Sequence, residues 1–156
     1  MTRAIIDAIR ALRIELVLTN DRVAAAAGLL PRDLDVLDII DRDGPCTPRY
    51  LSRRTGVPAA TLTGVLARLE RDAWIRRSAD PADRRSAQVS STDRFDELRA
   101  LYGGVDAEVH ALTATLDQEA ASTVAAFLDQ LASTARDRRE DLIPQDGHLP
   151  GSRSDP

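Results

Sequence analysis

Four chain breaks crowd the stretch from Gly28 to Pro58: Gly28 with Pro31, Asp43-Gly44-Pro45, Thr47-Pro48, and Thr55-Gly56-Val57-Pro58. Proline lacks an amide donor and is tolerated in a helix only in its first turn, and glycine takes the left-handed conformation that closes one. The stretch can therefore hold only short helices separated by tight turns. Apolar residues at steps of three and four fill the gaps. A helix opens at Pro31 and runs to about Arg42, with Leu34, Leu37 and Ile40 inward. A short one follows the Thr47-Pro48 cap to about Arg54, and Pro58 starts another that reaches about Asp72. A short helix, a glycine-containing turn and a second helix make a helix-turn-helix.

The flanks follow from the same patterning. Residues 3 to about 27 predict an amphipathic helix with Ile5, Ile9, Leu12 and Leu16 on one face, closed by Gly28. Trp74 to Arg77 predicts a strand, followed by the loop in ADPADRRSAQV and a second short strand near Gln88 to Ser90. Thr92 is placed to cap a longer helix whose Phe95, Leu98, Tyr102, Val105, Val109 and Leu112 step like a coiled-coil seam. Gly103-Gly104 predicts a bend or soft point there, at roughly 1 kcal/mol per glycine relative to alanine. Asp117 caps a last helix with Val124, Leu128, Leu131 and Ala135 on one face, and the chain from Pro144 is a disordered tail.

The expected fold class is mainly α (α+β). One domain over residues 1–143 combines a winged helix-turn-helix lobe at 28–92 with dimerisation helices at 1–27 and 93–143, and the tail occupies 144–156. The dimer is expected because the terminal helices carry apolar stripes with little domain to pack on.

Charge is unevenly spread. The chain is acidic, at −4 overall, yet residues 49–85 hold nine arginines against four acids, leaving the remainder with 12 arginines against 21 acids. A basic segment in an acidic chain is the electrostatic footprint of a DNA-binding surface. The helix from Pro58 offers a matching shape. Leu62, Val65, Leu66, Leu69 and Ala73 share one face; Ala60, Gly64, Ala67 and Arg71 lie opposite, flanked by Thr61 and Arg68. Small residues let a helix backbone approach the floor of a major groove, where Thr61, Thr63 and Arg68 are the available readers. The same small face would also suit a docked helix, so a winged-helix module that binds protein is the alternative.

Other classes are excluded. The lone Cys46 forms no internal disulfide, and with only His110 and His148 beside it a structural zinc site is not expected. No paired-carboxylate, Ser/His or metal-ligand constellation supports an enzyme, and no cofactor is expected. The N-terminus has no signal-peptide core, and no apolar run approaches the ~20 residues of a membrane span, so a cytoplasmic protein is expected. Cys46 fits a small buried position, His110 a surface one, and Trp74, Phe95, Tyr102 and Phe127 core or interface.

From about Gly28 to Thr92 the chain resembles the MarR (multiple antibiotic resistance regulator) family of winged helix-turn-helix regulators. The residues that carry the resemblance are LLPRDLDVLDII, GPCTPRYLSRRTGVPAATLTGVLARLERDAWIRR and, most specifically, DPADRRSAQVSST. The resemblance implies a triangular homodimer on double-stranded DNA with a pseudo-palindromic operator. Ala60, Thr61, Thr63, Gly64 and Arg68 would lie at the major groove. In the wing, Arg85 would enter the minor groove, Asp83 would fix its direction and Arg84 would neighbour it. Arg49, Arg53, Arg54 and Arg77 would contact phosphates. It further implies a repressor relieved by a small aromatic or anionic effector, for which no residue here identifies a pocket. The chain departs from the family pattern at Gly64, where a longer side chain is usual, and at Ala73, where glycine commonly ends the recognition helix. Trp74 stands for a smaller aliphatic, and Leu30 and Pro58 stand where hydroxyl caps are common.

Overall fold

The computed structural model describes residues 2–79 and 87–141. The elements are α1 (Thr2–Ala26), α2 (Pro31–Asp43), α3 (Pro48–Thr55), α4 (Ala59–Arg71), β1 (Ile75–Ala79), β2 (Ala87–Ser91), α5 (Phe95–Thr113) and α6 (Gln118–Asp141). They fall into two compact units, Met1–Val105 and Asp106–Pro156. The predicted tail from Pro144 lies outside the described residues.

The first unit is organised by the breaks that the sequence displays. Gly28, at φ 71°, ends α1: its own amide donates to Ala25 O and the amide of Leu29 to Ala24 O. That pairing satisfies carbonyls the helix would otherwise leave open. The Thr47 side chain accepts the amide of Tyr50 at 3.2 Å, so α3 is capped as its Thr-Pro start predicts. One buried cluster then joins Val23 and Ala24 of α1, Leu34, Leu37 and Ile40 of α2, Leu51 of α3, and Leu62, Leu66 and Leu69 of α4. Trp74, Val89, Phe95 and Leu98 also belong to it.

β1 and β2 pair antiparallel, with Ile75 opposite Ser91 and Ala79 opposite Ala87. Cys46 adds a single bridge to the other edge of β2, exchanging backbone hydrogen bonds with Val89 at 2.9 and 2.8 Å. Its thiol is buried and donates to Gly44 O at 3.0 Å. Burial and the neighbouring Asp43 both push that thiol above its ordinary value, the opposite of what a reactive thiolate needs.

Three local expectations change. Ala73 does not join the buried face of α4: the helix ends at Arg71, and Ala73 is exposed at φ 58°. It occupies the left-handed closing position, with Trp74 N donating back to Leu69 O at 2.8 Å. An alanine there is strained by about 1–2 kcal/mol, which accounts for glycine being the easier residue at such a site. Thr92 precedes α5 by a turn instead of capping it directly. Its hydroxyl donates to Ala73 O at 2.7 Å and accepts the Arg94 amide at 3.3 Å, tying the approach to α5 to the end of α4. Finally, α5 runs unbroken through Gly103-Gly104. Neither glycine adopts a positive φ, and a Cβ on either would meet nothing within 4 Å.

The outer side of α2 stores a pH dependence. Asp38 is half-buried, and burial, then the charges of Asp35 and Asp41, raise its pKa from 3.8 to about 6. A carboxyl whose folded pKa is raised costs the folded state as it ionises, so stability falls as pH climbs from about 4 to about 6. Asp38→Asn should therefore stabilise the protein at neutral pH by about 1–2 kcal/mol, allowing for partial solvent screening. Urea melts should show that gain vanish near pH 4.

The second unit holds the end of α5 and the whole of α6. Asp117 caps α6 as expected, its Oδ1 accepting the amide of Ala120 at 2.8 Å. Val109 and Leu112 of α5, and Val124, Phe127 and Leu128 of α6, are exposed.

Candidate nucleic-acid interface

The packing of α4 decides which of its side chains face out. Leu62, Val65, Leu66 and Leu69 are buried. Ala60, Thr61, Thr63, Gly64 and Ala67 are therefore left exposed in a patch with little side-chain bulk. Thr63 donates its hydroxyl proton to Ala59 O at 2.9 Å, which leaves its oxygen free to accept. A concave pocket of about 290 Å³ lies where α3 meets α4, lined by Pro48, Ser52, Ala59, Leu62 and Thr63 with Arg49 and Arg53.

The arginines divide into two groups. Arg49 and Arg53 of α3 and Arg76 of β1 are exposed, and none has an acidic partner among the described residues. Others are held. Arg54 lies 3.7 Å from Asp43, which also accepts the Tyr50 hydroxyl at 2.7 Å. Arg77 donates to Glu70 at 2.8 Å, and Arg71 grips the neighbouring Asp72. Arg68 is bound most firmly: Nε and Nη2 donate to the two carboxylate oxygens of Asp33 at 2.9 and 2.7 Å.

The structure thus brings Ala60, Thr61, Thr63 and Gly64 onto one surface, with Arg49 and Arg53 at the α3–α4 corner and Arg68 further along α4. Asp83, Arg84 and Arg85 lie outside the described residues. The sequence reading missed Asp33, which is 3% exposed and the one buried charged residue among those described. A signal for it exists: Asp33 stands on the stripe continued by Leu37 and Ile40. An acid on a buried stripe requires a cationic partner, but nothing in the linear pattern names a partner 35 residues away.

Among the described residues, no group of three or more His, Cys, Asp or Glu side chains could hold a metal ion. No helix among them is long and apolar enough to cross a membrane.

A short helix, a turn, an exposed-faced second helix and an antiparallel hairpin define a winged helix-turn-helix protein. Comparison with known proteins agrees. Residues 27–86 match the MarR family. The chain is 27% identical over 143 residues to the uncharacterized HTH-type transcriptional regulator YcgE of Bacillus subtilis, covering 91% of this chain and 93% of that one. The crystal structure of the transcriptional regulator Tm0710 from Thermotoga maritima superposes with a TM-score of 0.63 at 27% identity, covering 85% of this chain and 94% of that chain. The crystal structure of FabT from Streptococcus pneumoniae in complex with DNA shares the fold at 20% identity, with a TM-score of 0.64 and coverage of 88% and 99%. Residues 27–86 thus carry a MarR-family match, and over most of its length the chain is similar to HTH-type transcriptional regulators.

Proposed function

We propose that this regulator binds double-stranded DNA as a homodimer, with α4 in the major groove and the segment between β1 and β2 in the adjacent minor groove. The observation that carries the reading is the small exposed face of Ala60, Thr61 and Gly64 with Arg49 and Arg53, which have no acidic partner among the described residues, in the basic segment of an acidic chain. FabT, of the same fold, stands in complex with DNA. Thr61 and Thr63 are the base-edge readers, with Arg68 further along the same helix. Arg49 and Arg53 are the phosphate contacts. Arg54 and Arg77 join them by exchanging their carboxylate partners for phosphate. In the wing, Arg85 enters the groove, held by Asp83, with Arg84 beside it.

The exposed stripes of α1, α5 and α6 support dimerisation. Control by repression, relieved by a small aromatic or anionic effector, rests on the family resemblance. A dimer should occupy half-sites about one helical turn, ~10 bp, apart. The test is a gel-shift titration on a duplex that the full chain selects from a randomised pool. Arg84→Ala combined with Arg85→Ala should weaken binding by roughly tenfold or more while sedimentation shows the same oligomer. Full affinity in the double variant would defeat the wing assignment. Salt-insensitive capture of a protein, with no duplex selected, would favour docking of a partner helix on the small face.

A further inference from the structure

Arg68 and Gly64 form an arrangement that the role of a simple reading side chain leaves unexplained. The guanidinium has two edges that can each donate a parallel pair of hydrogen bonds. The side edge, Nε with Nη2, is committed to both oxygens of Asp33. The end edge, Nη1 with the second proton of Nη2, has no partner among the described residues. The Arg68 side chain is 40% exposed while that of Asp33 is 4% exposed, so the pair has a buried acceptor and an open donor. Nη1 lies beside the bare Cα of Gly64, where an added Cβ would stand 3.8 Å from it.

We infer that Asp33 is a positioning residue for DNA recognition: its buried carboxylate fixes Arg68 so that the end edge of the guanidinium meets a pair of acceptors on DNA across Gly64. This rests on the DNA-binding reading above. Asp33 is too buried to touch DNA itself, and an uncompensated carboxylate there would only repel it. Paired, it removes the rotamer freedom that Arg68 would otherwise lose on binding. The end edge fits the O6 and N7 atoms of guanine or two phosphate oxygens, since both present two acceptors to one planar fork. Gly64 keeps the approach open, which gives a physical reason for the short residue at that position.

The test uses the full chain and the duplex selected by the wild type. Asp33→Asn keeps the size of the side chain but removes its charge. Arg68→Lys keeps the charge but removes the planar fork. Each should weaken binding roughly ten- to hundredfold, and the double variant should be no weaker than the worse single one. If the acceptors belong to guanine, preference at one base pair per half-site flattens. If they belong to phosphate, the log–log salt slope becomes shallower by about one per protomer. Either result supports the inference.

Wild-type affinity, base profile and salt slope in Asp33→Asn would overturn it. So would a loss of affinity that leaves profile and slope unchanged and merely tracks a fall in the melting midpoint, because that is a clamp on the fold alone. Failure of the wild type to select any duplex would instead overturn the DNA-binding reading itself.

Discussion

Leu12→Glu combined with Leu16→Glu should convert the proposed dimer to monomers and lower its affinity for a two-half-site duplex more than a hundredfold. The first twenty-two residues include no buried side chain among those described, and only Val23 and Ala24 of α1 enter the core. Ile5, Ile6, Leu12, Ile14, Leu16, Val17 and Leu18 are each 44–53% exposed, a large amount of open apolar area on a helix with little else to hold it. Helices gain most of their stability from packing an apolar face, and exposed apolar area of this extent marks an interface. Two glutamates on the stripe would face each other across a two-fold axis and would be desolvated there. The DNA effect follows because linked half-site binding raises effective affinity by ~100- to 10,000-fold, and a monomer forfeits it. Sedimentation should show half the mass while the core around α2–α4, which these residues do not enter, keeps its circular dichroism. An unchanged mass would remove α1 from the interface.

Trp74→Ala should destabilise the fold by about 3–5 kcal/mol. Trp74 is 1% exposed, and it follows the strained Ala73 at the junction of α4 and β1. The Arg94 guanidinium lies 4.1 Å from its ring centre, and the same side chain donates to the carbonyl of Asp72. The ring therefore packs the end of the proposed reading helix against the start of the hairpin and the approach to α5. Against a typical total stability of ~5–15 kcal/mol, its loss should lower the urea midpoint sharply. A change below ~1 kcal/mol would mean that the indole is not the packing element described.

What could be read in the sequence was local. Gly28, the Thr47-Pro48 pair and Asp117 each act on backbone groups within a few residues, so the helix ends they set are visible in the chain itself. The inward faces of α2 and α4 follow from periodicity, because only one face of each short helix is apolar. What the sequence hid depends on distance or on a competing local preference. Asp33 with Arg68 and Asp41 with Arg99 join residues 35 and 58 positions apart, and no spacing rule selects those partners. Ala73 looked like one more apolar residue in phase with Leu66 and Leu69, but the helix closes before it. Thr92 still accepts the Arg94 amide ahead of α5, but its hydroxyl also donates to the carbonyls at the end of α4, a contact 18–19 residues away that no local pattern shows. The pair Gly103-Gly104 has a real helix penalty, yet it did not interrupt α5. A nineteen-residue helix absorbs two unfavourable positions.

The division among the arginines bears on how any DNA contact is made. Arg49, Arg53 and Arg76 need no rearrangement to meet phosphate, whereas Arg54 and Arg77 must first release Asp43 and Glu70. The Arg77–Glu70 pair is open to solvent, where exchange costs little, and the more covered Arg54–Asp43 contact is long at 3.7 Å. Asp33 is different, because its carboxylate is buried and its bond to Arg68 is two-pronged.

The central claim is that the exposed face of α4, presented twice by a dimer, recognises DNA. The most direct measurement is a footprint of the full chain on its selected duplex, with affinity followed across salt concentration. Two protected half-sites with centres ~10 bp apart, and a steep log–log salt slope of about −0.9 per neutralised phosphate, are the predicted result. Absence of any protected site, or binding that does not respond to salt, would contradict it.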